Sequence, residues 1–142
     1  MSEQNFDLVV LGAGSGGYAA ALRASQLGMT VGLIEKDKVG GTCLHVGCIP
    51  TKALLHSAEV ADVTRESAKY GVTSTYGGID IAAVTSYREE IVASKYKGLV
   101  GLVKARGITT IAGEGKLIEV HLKPGVTDPV ATSADGKSHG NP

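Results

Sequence analysis

The sequence lacks three features that mark common functional classes. No apolar run approaches the length of a membrane span. Residues 1–7 show no charged segment leading into an apolar stretch, as a secretory signal would. There is no excess of positive charge, because 14 basic residues balance 14 acidic ones, and this argues against a nucleic-acid or anionic-membrane surface. We therefore expect a cytoplasmic protein that binds neither nucleic acid nor membrane.

Cysteine is scarce, with Cys43 and Cys48 the two examples in the chain. In a cytoplasmic protein, two cysteines are by default reduced, buried small apolar residues. They could also be half of a metal site, but no second pair follows and the nearby ligand candidates are limited to His45 and His56. We therefore expect no metal.

Glycine, by contrast, is abundant, at 20 of 142 residues, while the apolar fraction is 43%. This composition is typical of a packed domain with many tight turns and close backbone contacts, rather than of disorder.

The first 35 residues follow a regular order of elements. Residues 7–11 form a branched apolar run typical of a buried parallel strand, and glycines follow at once. An alanine-rich stretch, 18–27, predicts a helix ended by Gly28. A second apolar strand, 30–34, runs up to Glu35. Strand, glycine turn, helix and strand make a βαβ unit with a right-handed crossover. We therefore predict an α/β, Rossmann-like fold with a parallel sheet.

The later elements are predicted more coarsely. A second helix starts near Cys48–Pro50 and runs through Ala61, because proline fits the first helical turn. Residues 70–78 are rich in Gly, Ser and Thr and indicate a loop. Asp80 is typical of a helix N-cap, and the helix continues to about Lys104. Its expected inward-facing residues are Ile81, Val84, Ile91 and Leu99.

The C-terminal part is less regular. Residues 108–111 predict a third parallel strand, and the alternating residues 116–122 could form a hairpin arm. Residues 123–142 are rich in Gly, Ser, Thr, Asp and Pro, and we interpret them as an irregular tail or an incomplete hairpin.

Gly12-Ala-Gly14-Ser-Gly-Gly17 matches G-x-G-x-x-G. Gly12 permits the tight turn, Gly14 lets the backbone approach a pyrophosphate, and Gly17 lets helix and strand pack closely. The pyrophosphate would then lie at the helix N-terminus. Glu35 is placed to accept hydrogen bonds from ribose hydroxyls and would repel a 2′-phosphate, although it could also be a solvated strand end. In this strand–turn–helix context the motif predicts dinucleotide binding, with NAD and FAD both open.

The second motif is Gly40-Gly-Thr-Cys43-Leu-His-Val-Gly-Cys48-Ile-Pro-Thr-Lys52. The two cysteines close a very small loop, so a disulfide there is possible but constrained, and constrained disulfides tend to be reducible. Cys48 precedes a predicted helix N-terminus, whose dipole stabilises a thiolate. A reducible pair close behind a dinucleotide site predicts electron transfer between cofactor and thiols.

This segment resembles the signature of the pyridine-nucleotide disulfide oxidoreductases, and Leu44, Ile49 and residues 53–56 look most like its dihydrolipoamide dehydrogenase branch. His45 stands where many relatives have Asn. The resemblance implies that the dinucleotide is FAD and that Cys43 exchanges with the dithiol substrate. It also implies that Cys48 lies against the flavin and passes electrons to it.

The resemblance further implies which residues bind the cofactor. Lys52 would lie near the reactive edge of the flavin, although a solvated helix residue is the alternative. The turn at 113–115 would contact the adenine through Gly115, although an ordinary turn is the alternative. The expected FAD-binding residues are Gly12, Gly14, Gly17, Glu35, Lys36, Gly40, Gly41, Thr42, Lys52 and Gly115.

On this resemblance, residues 1–122 are the N-terminal part of an FAD-binding domain, followed by the tail at 123–142. We expect a sheet truncated before it is complete, with the family's NAD and interface domains absent. The whole enzyme would be a homodimer that oxidises the lipoyl domains of 2-oxo acid dehydrogenase complexes with NAD, and this chain alone would be inactive. The alternatives are a relative acting on another disulfide or on a metal ion, and a non-catalytic nucleotide-binding fragment.

Overall fold

A three-stranded parallel sheet organises the chain. The computed structural model describes residues 4–118. Strands β1 (Leu8–Leu11), β2 (Val31–Glu35) and β3 (Thr109–Ala112) lie in the order β1-β2-β3. Leu8 pairs with Val31, and Gly32 pairs with Thr109. The predicted α/β, Rossmann-like architecture is confirmed, and all three strands point their carboxyl ends at one edge.

Within residues 4–118, four α-helices accompany these strands. Helix α1 (Ser15–Gln26) joins β1 to β2, and the five-residue α2 (Gly41–His45) precedes the longer α3 (Cys48–Arg65). A short 3-10 helix, Ser67–Tyr70, opens the predicted loop, and α4 (Ile81–Ala105) leads to β3. The core lies between the sheet and α1 and α4; it contains Ala13, Ala21, Ala24, Val31, Leu33, Val39, Val103 and Ile108.

Helix α4 begins as predicted, because the Asp80 side chain accepts a hydrogen bond of 3.0 Å from the Ala83 N–H. The prediction that Ile81 faces inward is wrong, since this side chain is 69% exposed. The C-terminal part of α4 reaches the sheet, where Leu99 packs against the core and Val103 is buried. The residues of α4 that join the core are Tyr96, Leu99 and Val103, all in its C-terminal half, and Ile81 in the first turn is not among them.

The sheet has one covered and one open face. Because side chains alternate along a strand, Leu8 and Val10 pack towards the helices, while Val9 and Leu11 point the other way and are 48% and 56% exposed. The hairpin arm predicted at 116–122 has no regular structure over 116–118, and its remainder lies outside the described residues, as does the tail at 123–142. Within residues 4–118, the helices are too short or too polar to cross a membrane.

Candidate functional site

The glycine turn is held tightly between β1 and α1. Gly12 has φ +90°, a left-handed conformation that favours glycine, and its N–H donates to the Ile34 carbonyl at 2.8 Å. A Cβ on Gly17 would overlap the Gly12 carbonyl oxygen and lie 3.3 Å from Val10 Cγ1. The first residues of α1 are therefore pressed onto the end of β1, at a spacing that glycine alone allows.

The space above the turn is open. Gly14 has an ordinary φ of −68°, and a Cβ added to it would meet nothing within 4 Å. The first helical hydrogen bond runs from the Tyr18 N–H to the Gly14 carbonyl at 3.0 Å, so the N–H groups of Ser15, Gly16 and Gly17 precede the intrahelical ladder. A pyrophosphate needs this arrangement, because it must approach the helix N-terminus closely and accept hydrogen bonds from N–H groups that have no helical partner.

A second pair of glycines docks on this turn. The Gly40 N–H donates to the Ala13 carbonyl at 2.7 Å. Gly41 has φ +58°, and a Cβ on it would lie 2.8 Å from Gly14 Cα. Thr42 follows, exposed in the first turn of α2. This contact places the helix that carries Cys43 directly beside the glycine turn.

Glu35 ends β2 next to the turn and is not a freely solvated residue. Its Oε2 accepts a hydrogen bond from the Ala13 N–H at 2.7 Å, and its Oε1 accepts one from the Asp37 N–H at 2.9 Å. These two bonds, that from Ala13 first, lower the pKa of Glu35 below its ordinary value. Because a carboxylate offers about four lone-pair positions, Glu35 keeps acceptor capacity for ribose hydroxyls.

A cleft of about 280 Å³ brings several predicted residues together at the carboxyl ends of the strands. It is lined by Gly12, Glu35, Lys36 and Gly115, among others. The Gly113 N–H donates to the Glu35 carbonyl at 2.9 Å, and a Cβ on Gly115 would lie 2.6 Å from Leu11 Cδ2. The turn at 113–115 thus closes one side of this cleft. Parallel α/β sheets bind their ligands at this edge.

The two cysteines lie side by side as free thiols. Cys43 is half-buried in α2, and Cys48 is the exposed first residue of α3. The pKa of Cys43 is lowered, first by the Cys48 thiol acting as a donor to its sulfur and then by the Ser15 hydroxyl, the Cys48 N–H and the positive charge of Lys52. Donating that thiol proton raises the pKa of Cys48.

Cys48 begins α3, as predicted, and the helix dipole favours a thiolate there. The Cys48 N–H favours the thiolate form of both sulfurs, and Cys43 has the larger set of donors around it. Lys52 lies one turn along α3 from Cys48, and its charge favours the thiolate form of both thiols.

The two nearby histidines have packing and surface roles. His45 Nε2 lies 3.0 Å from the Val39 carbonyl oxygen, and its ring packs edge-on against Tyr96 at 5.1 Å. His56 is exposed and pairs with Glu59 at 3.3 Å. Across residues 4–118, no group of three or more His, Cys, Asp or Glu side chains could hold a metal ion.

Two contributors escaped the sequence analysis. The Ala13 backbone binds both Gly40 and Glu35, and only the fold shows that these two residues meet there. Ser15 lines the same small cleft as Cys43. A hydroxyl residue at a variable position of the glycine motif is the signal that could have drawn attention to Ser15.

Comparisons with known proteins show the family of this chain. The family model described as pyridine nucleotide-disulphide oxidoreductase matches residues 6–134. The chain is similar to the dihydrolipoyl dehydrogenase of Bacillus subtilis, with 42% identity over 80% of this chain and 24% of that protein. It is 39% identical to the mitochondrial dihydrolipoyl dehydrogenase of Dictyostelium discoideum over 92% of this chain and 28% of that protein. Leghemoglobin reductase of Vigna unguiculata is 42% identical over 82% of this chain and 23% of its own length. The chain thus spans about a quarter of the length of these relatives.

Proposed function

Because this chain belongs to the pyridine nucleotide-disulphide oxidoreductase family, we propose that it is the FAD-binding, redox-dithiol segment of a dihydrolipoyl dehydrogenase. The family and its dihydrolipoyl dehydrogenases use FAD. One observation carries the proposal. Gly41 packs on Gly14, which places the helix that carries Cys43 beside the glycine turn.

The residues of this site fit the parts of FAD. The turn from Gly12 to Gly17 would hold the pyrophosphate with its free N–H groups, because a Cβ at Gly14 would occupy open space rather than protein. Glu35 would accept hydrogen bonds from ribose, with its carboxylate held in place by backbone donors.

The remaining cofactor residues are proposed by position. Lys36 and Gly115 line the cleft proposed for the adenine end. Gly40, Gly41 and Thr42 would line the path from the turn to the cysteines. Lys52 would lie beside the flavin.

The cysteine pair would relay electrons by thiol–disulfide exchange. In the oxidised form, one thiolate of a dihydrolipoyl group attacks the sulfur of Cys43, a mixed disulfide forms, and Cys48 leaves as a thiolate. The second lipoyl thiol then closes the lipoyl disulfide and releases Cys43. Two electrons and two protons have left the substrate, and the enzyme holds a dithiol. FAD, when bound, supplies the acceptor for this electron pair.

The protein environment assists this exchange through charge. The positive charge of Lys52 favours the thiolate form of both cysteines. The donors around Cys43 stabilise the Cys43 thiolate as the leaving group when the lipoyl disulfide closes. A lower pKa of the leaving thiol speeds exchange. Cys43 is therefore the better-suited of the two sulfurs for contact with substrate.

The wider setting is what the family resemblance implies, and it is proposed with the function. The whole protein would use NAD as the final acceptor, act on the lipoyl domains of 2-oxo acid dehydrogenase complexes, and work as a cytoplasmic homodimer. Residues 1–122 would be the N-terminal part of its FAD-binding domain.

Titration of the chain with FAD, followed by flavin fluorescence anisotropy, tests the proposal. Wild type should bind, and Gly14→Val should not, because its side chain would fill the space above the turn. Gly98→Val is the matched control, since a Cβ at Gly98, on α4, also meets nothing within 4 Å. Equal FAD binding by wild type and Gly14→Val, or no binding by wild type, would overturn the proposal.

A further inference from the structure

A hydroxyl group lies inside the glycine turn. Ser15 is the first residue of α1, between Gly14 and Gly16, at a position where the motif itself requires no particular side chain. Ser15 and Cys43 line the same cleft of about 220 Å³, and Tyr18 and Lys95 also contribute to it. The turn proposed for the dinucleotide and the proposed exchanging thiol therefore share one small space.

The backbone brings Ser15 and Cys43 together. The bond from the Gly40 N–H to the Ala13 carbonyl, 2.7 Å long, ties the start of α2 to the turn. The packing of Gly41 on Gly14 fixes the distance between the two segments. Ser15 follows Gly14 directly, and Cys43 comes two residues after Gly41. The closeness of Ser15 and Cys43 is thus set by backbone packing between the two segments.

We propose that Ser15 is a positioning residue of the dithiol, whose hydroxyl donates a hydrogen bond to the Cys43 sulfur and holds it as the reactive thiolate. The proposal rests on the proposed function in one respect, namely that Cys43 is the sulfur that exchanges with substrate. The glycine turn would then have two roles, because Ser15 belongs to the proposed dinucleotide-binding turn and also bonds to the dithiol.

Other groups also face Cys43. Helix α3 contributes the Cys48 thiol and N–H and the charge of Lys52, while Tyr18 of α1 and Lys95 of α4 line the cleft. On α2 itself, His45 bonds to the Val39 carbonyl and packs on Tyr96. Ser15→Ala alters none of these groups chemically, so the contribution of the Ser15 hydroxyl can be measured against a constant set of neighbours.

The test is the pH profile of alkylation by iodoacetamide in a Cys48→Ser background. This background leaves one thiol to react, and it keeps a hydroxyl donor at position 48. Adding Ser15→Ala should move the midpoint of the profile to higher pH and slow alkylation at neutral pH about twofold. The rate at the alkaline plateau should rise, because a thiolate of higher pKa is the stronger nucleophile. The two profiles therefore cross, and a general loss of structure would not produce a crossing.

Two further variants sharpen the test. Ser15→Thr keeps a hydroxyl and should restore the original profile. Ser86→Ala removes an exposed hydroxyl from α4 and should change nothing. Far-ultraviolet circular dichroism of each variant checks that the helices persist. A Ser15→Ala profile that superimposes on that of Ser86→Ala would overturn the inference, as would a failure of Ser15→Thr to restore the midpoint.

Flavin titration of the same proteins separates this inference from the proposed function. If the profiles cross while no variant binds FAD, the role of Ser15 stands and the proposed function falls. If FAD binds normally and the profiles coincide, the proposed function stands and Ser15 has no role in positioning the dithiol.

Discussion

Alanine substitution at two glycines of one turn should separate folding from cofactor binding. A Cβ on Gly17 would overlap the Gly12 carbonyl oxygen, which is backbone and has no side-chain freedom to move aside. A Cβ on Gly14, three residues earlier, would meet nothing within 4 Å, and its φ of −68° suits alanine. The same added methyl group thus meets protein at one position and open space at the other.

The expected size of the effect follows from these contacts. Forcing a methyl group into close-packed backbone destabilises by about 1–3 kcal/mol, and the complete overlap at Gly17 places this case at the upper end. Replacing a helical glycine by alanine raises the free energy of unfolding by up to about 1 kcal/mol, because alanine has the higher helix propensity. Gly17→Ala should therefore lower the free energy of unfolding by about 2 kcal/mol. Gly14→Ala should leave it unchanged while weakening FAD binding.

Urea unfolding followed by circular dichroism measures the first effect, and flavin anisotropy measures the second. Gly98→Ala serves as the control, because it adds the same methyl group to a helix with open space around it. It should raise stability by up to about 1 kcal/mol and leave FAD binding intact. An unfolding midpoint of Gly17→Ala equal to that of wild type would refute the packing argument. Unchanged FAD binding by Gly14→Ala would refute the assigned approach of the pyrophosphate.

Three further predictions concern acid, oxidation and turnover. The folded-state pKa of Glu35 lies below its ordinary value of 4.5, so its ionised form contributes stability above that pH. This stability is lost as the pH falls through the folded-state pKa. The urea unfolding midpoint, measured from pH 7 downwards, should therefore decrease less in Glu35→Gln than in wild type. Mild oxidation should convert Cys43 and Cys48 into a disulfide that dithiols reduce; two titratable thiols in oxidised, folded protein would count against this. A polypeptide of these 142 residues should not produce NADH from dihydrolipoamide, FAD and NAD. Its sequence contains one G-x-G-x-x-G turn, and the reaction needs a second dinucleotide site. NADH formation at an enzymatic rate would show that reasoning to be wrong.

The parts of the fold that were predictable depend on local sequence. The strand before Gly12 and the helix after it are set by short apolar runs and alanine, and the Asp80 cap is set by its own side chain. The glycine turn was predictable because Gly12 and Gly17 answer steric requirements that arise within six residues of chain. Parallel pairing followed from the βαβ order.

The rest depends on contacts between distant segments. Helix α2 has five residues and is fixed by the docking of Gly40 on Ala13, 27 positions earlier, which no local propensity reveals. The exposure of Ile81 depends on how far α4 extends past the sheet. The helix dipole at Cys48 can be inferred from the sequence, whereas the closeness of Ser15 to Cys43 emerges from the fold.

If the FAD-binding residues and the redox dithiol belong to one site, the reduced dithiol should pass its electrons to bound FAD. Anaerobic mixing of the reduced chain with FAD measures this transfer. The chain is reduced, freed of excess reductant and mixed with FAD, and flavin absorbance and free thiols are followed together. The account predicts that the visible flavin band bleaches as two thiols are lost per flavin reduced, and that Cys43→Ser and Cys48→Ser bind FAD without bleaching it. FAD that binds to the reduced wild-type chain and stays oxidised, with both thiols still titratable, would contradict the account.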